Sequence, residues 1–166
     1  MTLVKWLPIV LAVLAALVLT AVIAGQTGLL RGKPPTDLGV RNGLLKAPST
    51  TSNSVSSQGA LHPDHPMREQ AMIAPLPLHG DGPATLARIK AIVTTMAGAK
   101  VIASQPDYLH AQFETRWMKF VDDTEFWFDA KATVVQVRSA SRVGRKDFDV
   151  NRQRVEAIRA RLASAP

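Results

Sequence analysis

The chain has 166 residues, which is enough for one compact domain of ordinary size and some additional segments. Its formal net charge is +7 at pH 7, which favours anionic partners. It has no cysteine, so disulfides, cysteine-based zinc sites and a cysteine nucleophile are excluded.

The first predicted element is an uncharged apolar stretch from Trp6 to Gly25. About 20 residues at roughly 1.5 Å rise each cross the roughly 30 Å core of a bilayer. We therefore predict that residues 1–31 contain a single transmembrane helix that acts as an anchor or uncleaved signal. A cleaved secretory signal is the alternative, because small residues precede Gly25.

The charges that flank this stretch bear on its orientation. Basic residues follow it at Arg31, Lys33, Arg41 and Lys46. By the positive-inside rule they favour a cytoplasmic C-terminal domain, whereas an uncleaved N-terminal signal would place that domain outside.

Residues 32–66 are rich in Pro, Gly, Ser and Thr and lack a sustained period, so we predict a linker of irregular coil. His62, Asp64 and His65 resemble a metal cluster, but the flanking prolines keep the backbone extended and scatter the side chains. No metal or cofactor is predicted. The soluble domain is assigned to residues 67–166.

From residue 83 onward, hydrophobic periods predict a helix, four strands and a second helix. The ranges are 83–98 for the first helix, 99–105, 107–117, 119–129 and 133–141 for the strands, and 147–162 for the last helix. Short turns between consecutive strands favour an antiparallel sheet. The predicted fold is α+β, with an antiparallel sheet of about four strands flanked by two helices and preceded by one transmembrane helix.

Strand and helix periods also predict which way single side chains point. Trp117 is expected on the buried face of its strand, and His110 on the opposite face at the surface. In the last helix, Phe148 and Asn151 are expected on the inward-facing stripe, with Asp147 as the cap.

Five segments of the chain are distinctive in combination, namely "NSVSSQ", "IAPLPL", "YLHAQF", "KFVDDTEFWFD" and "RSASRVGRKDFDVNRQRVE". Together they resemble the bacterial domain-of-unknown-function family 1499 over roughly residues 44–162. The resemblance implies an envelope-associated, outward-facing α+β domain and brings no known activity. Where family members commonly have cysteines, this chain has Ala47 and Ser54, so the thiol or disulfide chemistry that those cysteines imply is absent.

The joint between the last strand and the last helix is strongly basic. Residues 138–161 carry seven arginines and one lysine against three acids. Guanidinium groups, serine hydroxyls and the free N–H groups of a helix start are components of an anion site. The predicted ligand-binding residues are Arg138, Ser139, Ser141, Arg142, Arg145 and Arg152. Among them, Arg142 and Arg145 are expected to reach solvent.

The same joint also fits a purely structural network between helix and sheet. Its predicted members are Asp122, Asp123, Asp147 and Asn151. One of the two strand aspartates is expected to pair with Arg138 or Arg142, and Asn151 to bond the Ser-Ala-Ser segment. Arg159 and Arg161 fit a solvated helix face.

The predicted function is a periplasmic domain, anchored in the inner membrane, that binds an anionic ligand such as a lipid head group or acidic polysaccharide. An assembly subunit with a protein partner is the alternative, and a hydrolase or transferase of envelope material is the third. No nucleophile or phosphate-loop motif appears, so no catalytic residue is predicted. Nucleic acid is disfavoured because the basic residues lack interleaved aromatics.

Overall fold

A computed structural model describes residues 3–164 of the chain. Helix α1 (Leu3–Gln26) comes first, and its side chains are exposed from Trp6 to Thr20. The helix is long and apolar enough to cross a membrane, with a mean hydropathy of 2.9. A signal sequence near an N-terminus meets the same criterion. The predicted apolar helix is therefore present, and its length and composition fit both a membrane anchor and a signal sequence.

The centre of the fold is a five-stranded antiparallel sheet. Its strands are β1 (Ser54–Ser56), β2 (Ala99–Ser104), β3 (Tyr108–Glu114), β4 (Val121–Asp129) and β5 (Val134–Ser141), in the spatial order β1-β5-β4-β3-β2. The predicted α+β class is confirmed, with one strand more than expected. The additional strand, β1, lies in the segment predicted as irregular coil, because three residues are too few to show a period.

One face of the sheet packs against helices and forms the core. The helices are α2 (Arg68–Ala71), α3 (Gly82–Thr94) and α4 (Val150–Ser164), and a short 3-10 helix covers Gly59–Leu61. Asp81 caps α3, with Oδ1 accepting a 2.7 Å hydrogen bond from Ala84 N. The core joins α3 and α4 to the sheet through Leu86, Ile89, Val93, Leu109, Phe113, Phe126, Val135, Val137, Val155, Ile158 and Leu162.

The opposite face of the sheet, called the outer face below, is covered by the chain between α1 and β1. Gly39 N donates a 2.7 Å hydrogen bond to Glu125 Oε1 on β4, and Arg138 Nε on β5 donates to Ala47 O at 3.2 Å. Both sheet faces are therefore covered, which explains why polar side chains on β4 and β5 are buried.

Two expected side-chain positions are wrong. Trp117 lies beyond the end of β3, in the turn before β4, and is 60% exposed. Phe148 precedes α4, which begins only at Val150, and it is 85% exposed with a φ of 53°. In both cases the periodic pattern in the sequence continues beyond the element itself. Strand β3 ends at Glu114, before Trp117, and α4 begins at Val150, after Phe148.

Candidate functional site

Two neighbouring aspartates on β4 point to opposite sides of the sheet. Arg154 Nη2 on α4 donates a 2.5 Å hydrogen bond to Asp122 Oδ2, on the side of the helices. Asp123 points to the outer face, where Arg142 and His110 contact it. Alternation of side chains along a strand requires this separation. The two carboxylates therefore belong to two distinct networks.

The helix-side network consists of Asp122, Thr124, Ser139, Asn151 and Arg154. Arg154 Nη1 donates to Asn151 Oδ1 at 2.6 Å and to Ser139 Oγ at 3.1 Å. Ser139 Oγ also donates to Asn151 Oδ1 at 2.5 Å and lies 2.7 Å from Thr124 Oγ1. Ser139, Thr124 and Asn151 are fully buried. This network fixes α4 to β4 and β5.

The Asn151 amide also holds the loop before α4. Its Nδ2 lies 2.8 Å from Asp147 Oδ2 and 3.0 Å from Ser141 Oγ. Asp147 Oδ2 accepts a second hydrogen bond from Asn151 N at 3.0 Å, as a capping residue does. Asn53, just before β1, donates from Nδ2 to Gly144 O at 2.7 Å. The loop between β5 and α4 is thus fixed to α4 through Asn151 and to the residue before β1 through Asn53.

The outer-side network consists of Tyr108, His110, Asp123, Glu125, Arg138 and Arg142. Arg142 donates to both oxygens of Asp123, from Nε at 2.7 Å and from Nη2 at 2.9 Å. His110 Nε2 lies 2.9 Å from Asp123 Oδ1. Burial raises the pKa of Asp123, but the hydrogen bonds with His110 and Arg142 outweigh it and bring that pKa to about 2.

Two expectations for this face are therefore wrong. His110 is only 9% exposed instead of lying at the surface, because residues 31–50 cover the face to which it points. Arg142 does not reach solvent, since its side chain is 6% exposed and engaged by Asp123.

Arg138 is paired differently from Arg142. Its Nη1 lies 3.5 Å from Glu125 Oε2, so the expected pair with a strand aspartate is made by Arg142, with Asp123, and not by Arg138. Within residues 3–164, the only hydrogen bond of its guanidinium group is from Nε to Ala47 O. Burial lowers the pKa of Arg138, and Glu125 opposes this effect.

Glu125 is fully buried and incompletely bonded. Its Oε1 accepts hydrogen bonds from Tyr108 Oη at 2.8 Å and from Gly39 N at 2.7 Å. Its Oε2 has no hydrogen-bond partner in the described part of the chain. Burial and the neighbouring Glu125 carboxylate raise the pKa of Tyr108, which keeps the phenol protonated as a donor. The Glu125–Arg138 pair is thus a loose contact between two buried charges.

A cavity of about 670 Å³, called the outer cavity below, opens beside Arg138. It lies between β5 and the covering segment, which is the chain between α1 and β1, residues 27–53. Its lining carries four cationic side chains, which are Lys33, Lys46, Arg138 and Arg142. Lys46 pairs with Asp37 at 2.7 Å, and Arg142 pairs with Asp123. Among the described residues, Lys33 makes no ion pair, so Lys33 and Arg138 are the least neutralised cations of the cavity.

The predicted ligand-binding residues divide between several places. Arg138, Ser141 and Arg142 line the outer cavity. Ser139 lies in the helix-side network, and Arg145 is exposed in the loop before α4. Arg152 donates from Nη2 to Gln70 O at 2.8 Å, beside a separate cavity of about 220 Å³.

Sequence reasoning missed the cations that the covering segment contributes. Lys33 and Lys46 lie in residues predicted as a linker, so nothing linked them to β5. A signal for a covered outer face was present in β4. The run from Asp122 to Glu125 puts polar residues on both faces, which is unusual for a strand with one solvated side.

Comparison with known protein families gives one finding. The family described as "Protein of unknown function (DUF1499)" matches residues 44–162, well over half of the chain. Comparisons with curated proteins and with solved structures give no match. The matched range contains all five strands, α2, α3, all but the last two residues of α4, and every residue of both networks, but not Lys33.

Replacing Asn151 by leucine tests the helix-side network. Asn151→Leu removes the acceptor of Arg154 and Ser139 inside the protein, so the free energy of unfolding should fall by about 1–3 kcal/mol. Chemical denaturation measures this change. Gln153→Leu, at an exposed position on the same helix, is the matched control and should change stability by less than about 0.5 kcal/mol. Equal midpoints for the two variants would show that the network adds no stability.

Replacing Arg142 by alanine tests the outer-side network through its pH dependence. The folded-state pKa of Asp123, about 2, lies below its ordinary value near 3.9. Its stabilising contribution is therefore complete above the ordinary pKa and is lost as the pH falls through the folded-state value. Arg142→Ala should raise the Asp123 pKa, lower stability at pH 7 by about 3 kcal/mol, and move acid unfolding to higher pH.

Arg145→Ala is the matched control for this titration, because Arg145 is exposed in the neighbouring loop. It should leave the acid-unfolding midpoint of the parent unchanged. A midpoint for Arg142→Ala that equals that of Arg145→Ala would contradict the pairing of Arg142 with Asp123.

Proposed function

Because the chain belongs to the DUF1499 family, whose description gives no function, we propose from geometry that it is a membrane-anchored domain that binds an anionic ligand in the outer cavity. The observation that carries this proposal is Arg138, a buried cation at the cavity wall whose terminal nitrogens have no hydrogen bond within residues 3–164. Arg142, four residues later, provides the contrast, because it donates two hydrogen bonds to Asp123, from Nε and from Nη2.

The energetics of Arg138 favour an external partner. A buried charge is costly unless it is paired and hydrogen-bonded. Arg138 is 4% exposed, and Glu125 Oε2 lies at 3.5 Å, beyond good hydrogen-bond geometry. A ligand oxygen in the cavity would accept hydrogen bonds from the Nη groups, and charge-assisted bonds of this kind are among the strongest in proteins. Binding would then supply the hydrogen-bond acceptor that the Nη groups of Arg138 lack within residues 3–164.

The remaining lining suits an oxyanion. Lys33 and Lys46 add positive charge at the rim, and the hydroxyl-bearing residues Ser49 and Thr50 also line the wall. Hydroxyls and cations together bind phosphate, sulfate or carboxylate oxygens. At about 670 Å³, the cavity has the size of a small-molecule site. A lipid head group or an acidic sugar unit therefore fits better than an inorganic ion alone.

The proposed location is the inner membrane, with the domain in the periplasm and α1 as the single anchor. The apolar length of α1 supports the anchor, and the distribution of basic residues opposes the outward orientation. From Gln26 to Lys33 the chain spans at most about 25 Å, so the cavity lies close to the end of α1 and thus to the head groups. A C-terminal alkaline phosphatase fusion checks the orientation: it should be active, and an inactive fusion would place the domain in the cytoplasm.

Melting the full chain in detergent with anions tests binding. Inorganic phosphate, glycerol 3-phosphate and a uronic acid oligosaccharide serve as probes at low salt. A ligand at 100 times its Kd stabilises a protein by about 2.7 kcal/mol, which is readily visible as a rise in Tm. Lys33→Ala should keep the Tm of the unliganded parent and weaken binding several-fold, because Lys33 makes no ion pair in the described part of the chain. High salt should reduce the effect.

Two further variants complete this design. Arg138→Lys keeps the charge but loses the forked donor, so it should weaken binding more than Lys33→Ala does. Lys100→Ala, at an exposed position on β2, removes the same charge away from the cavity and should bind like the parent. If no probe raises the Tm of the parent at low salt, the outer cavity is not an anion site. The function is then better interpreted as that of an assembly subunit with a protein partner.

A further inference from the structure

The turn between β3 and β4 is fixed to the last turn of α1. Gln26 Nε2 donates hydrogen bonds to Trp117 O at 2.9 Å and to Arg116 O at 3.3 Å. Gly25 is buried against the same turn, where a Cβ atom would lie 2.7 Å from Met118 O. Only glycine allows such a close approach. The end of the apolar helix and the turn thus share one location.

The exposed side chains at this end of the molecule are aromatic and basic. The turn surface, defined as Arg116, Trp117, Lys119 and Phe120, exposes 60% of Trp117 and 37% of Phe120. The Arg116 guanidinium lies 4.9 Å from the centre of the Trp117 ring. Lys119 shares the carboxylate of Glu114 with Arg31, at 2.9 Å and 2.7 Å. Three cations against one acid leave this end of the molecule positive.

We propose that the turn surface contacts the head-group layer of an anionic phospholipid bilayer. The inference rests on the proposed membrane anchoring of α1. If α1 spans the bilayer, Gln26 lies at the level of the head groups, and the turn bonded to Gln26 lies there too. Tryptophan is favoured at this depth, and basic side chains near the surface attract anionic lipid. Trp117 then enters the interface, and Arg116 and Lys119 bind lipid phosphates.

A groove of about 780 Å³ continues the turn surface toward α4. Met96, Phe113 and Val150 give it apolar walls, and Arg116 adds a cation, while Lys119 and Arg154 line it paired with Glu114 and Asp122. Apolar walls with basic groups match a lipid, which has chains and a phosphate, better than a small soluble anion. The groove therefore supports a bilayer as the occupant of this surface.

The three tryptophans of the chain, Trp6, Trp117 and Trp127, serve as fluorescent reporters of contact with the bilayer. Three single-tryptophan variants of the full chain, with phenylalanine at the other two positions, are reconstituted in phosphatidylcholine and phosphatidylglycerol vesicles that contain brominated acyl chains. Trp6 reports insertion of α1. Trp117 reports the turn surface. Trp127, on β4 about 20 Å along the strand from the turn, is the matched control.

We expect the bromine label to quench Trp6 and Trp117 strongly and Trp127 weakly. If Trp6 is quenched while Trp117 behaves like Trp127, the turn-surface proposal is wrong and the anchoring stands. If Trp6 is not quenched, the anchoring fails and this proposal fails with it. Circular dichroism of each variant verifies that the fold is retained, and the variant with phenylalanine at all three positions gives the background emission.

Charge reversal separates the anionic requirement from simple burial. In the variant that retains only Trp117, Arg116→Glu should reduce the quenching of Trp117 at least twofold in anionic vesicles and leave it unchanged in neutral ones. Lys100→Glu, away from the turn, is the matched control and should have no effect. Equal quenching of Arg116→Glu and its parent in anionic vesicles would overturn the role of anionic lipid.

Discussion

Consecutive side chains of a strand point to opposite faces, and on β4 both faces are covered by other parts of the chain. Asp122 and Asp123 are both buried, so each needs a cation on its own side. Arg154 reaches Asp122 from α4, and Arg142 reaches Asp123 from the end of β5. Arg154 thereby fixes the last helix to β4, and Arg142 fixes the end of β5 to β4. Removal of either arginine leaves its aspartate inside the protein without that cation.

The two sides differ in how completely their charges are satisfied. The helix-side network closes on itself, because Asn151, Ser139 and Arg154 all bond one another. On the outer face, Arg142 donates two hydrogen bonds to Asp123, whereas Arg138, at a cavity wall, makes a single guanidinium hydrogen bond within residues 3–164. The contribution of the helix-side network to stability explains why its members bond one another. Stability does not explain the incomplete bonding of Arg138. This asymmetry is the reason for proposing an anion site at Arg138 and not in the whole arginine-rich joint.

The sequence allowed the fold class, four of the strands and the inward position of Asn151 to be predicted, because each depends on a local hydrophobic period. It did not allow the outer cavity to be predicted, since Lys33 and Arg138 are far apart in the chain and only the packing of an aperiodic segment joins them. Arg142 was placed in solvent for the same reason: a loop residue is expected to be exposed unless another segment covers it.

Arginine side-chain resonances in a titration with glycerol 3-phosphate test the central claim most directly. With ¹⁵N labelling of the full chain in detergent, the Nε–H and Nη–H signals of Arg138 and Arg142 can be followed together at low salt. The account predicts a saturable shift of the Arg138 signals and a much smaller shift for Arg142, which Asp123 already engages. Unchanged Arg138 signals, or equal linear shifts of Arg138 and exposed Arg145, would contradict a ligand-binding role for the outer cavity.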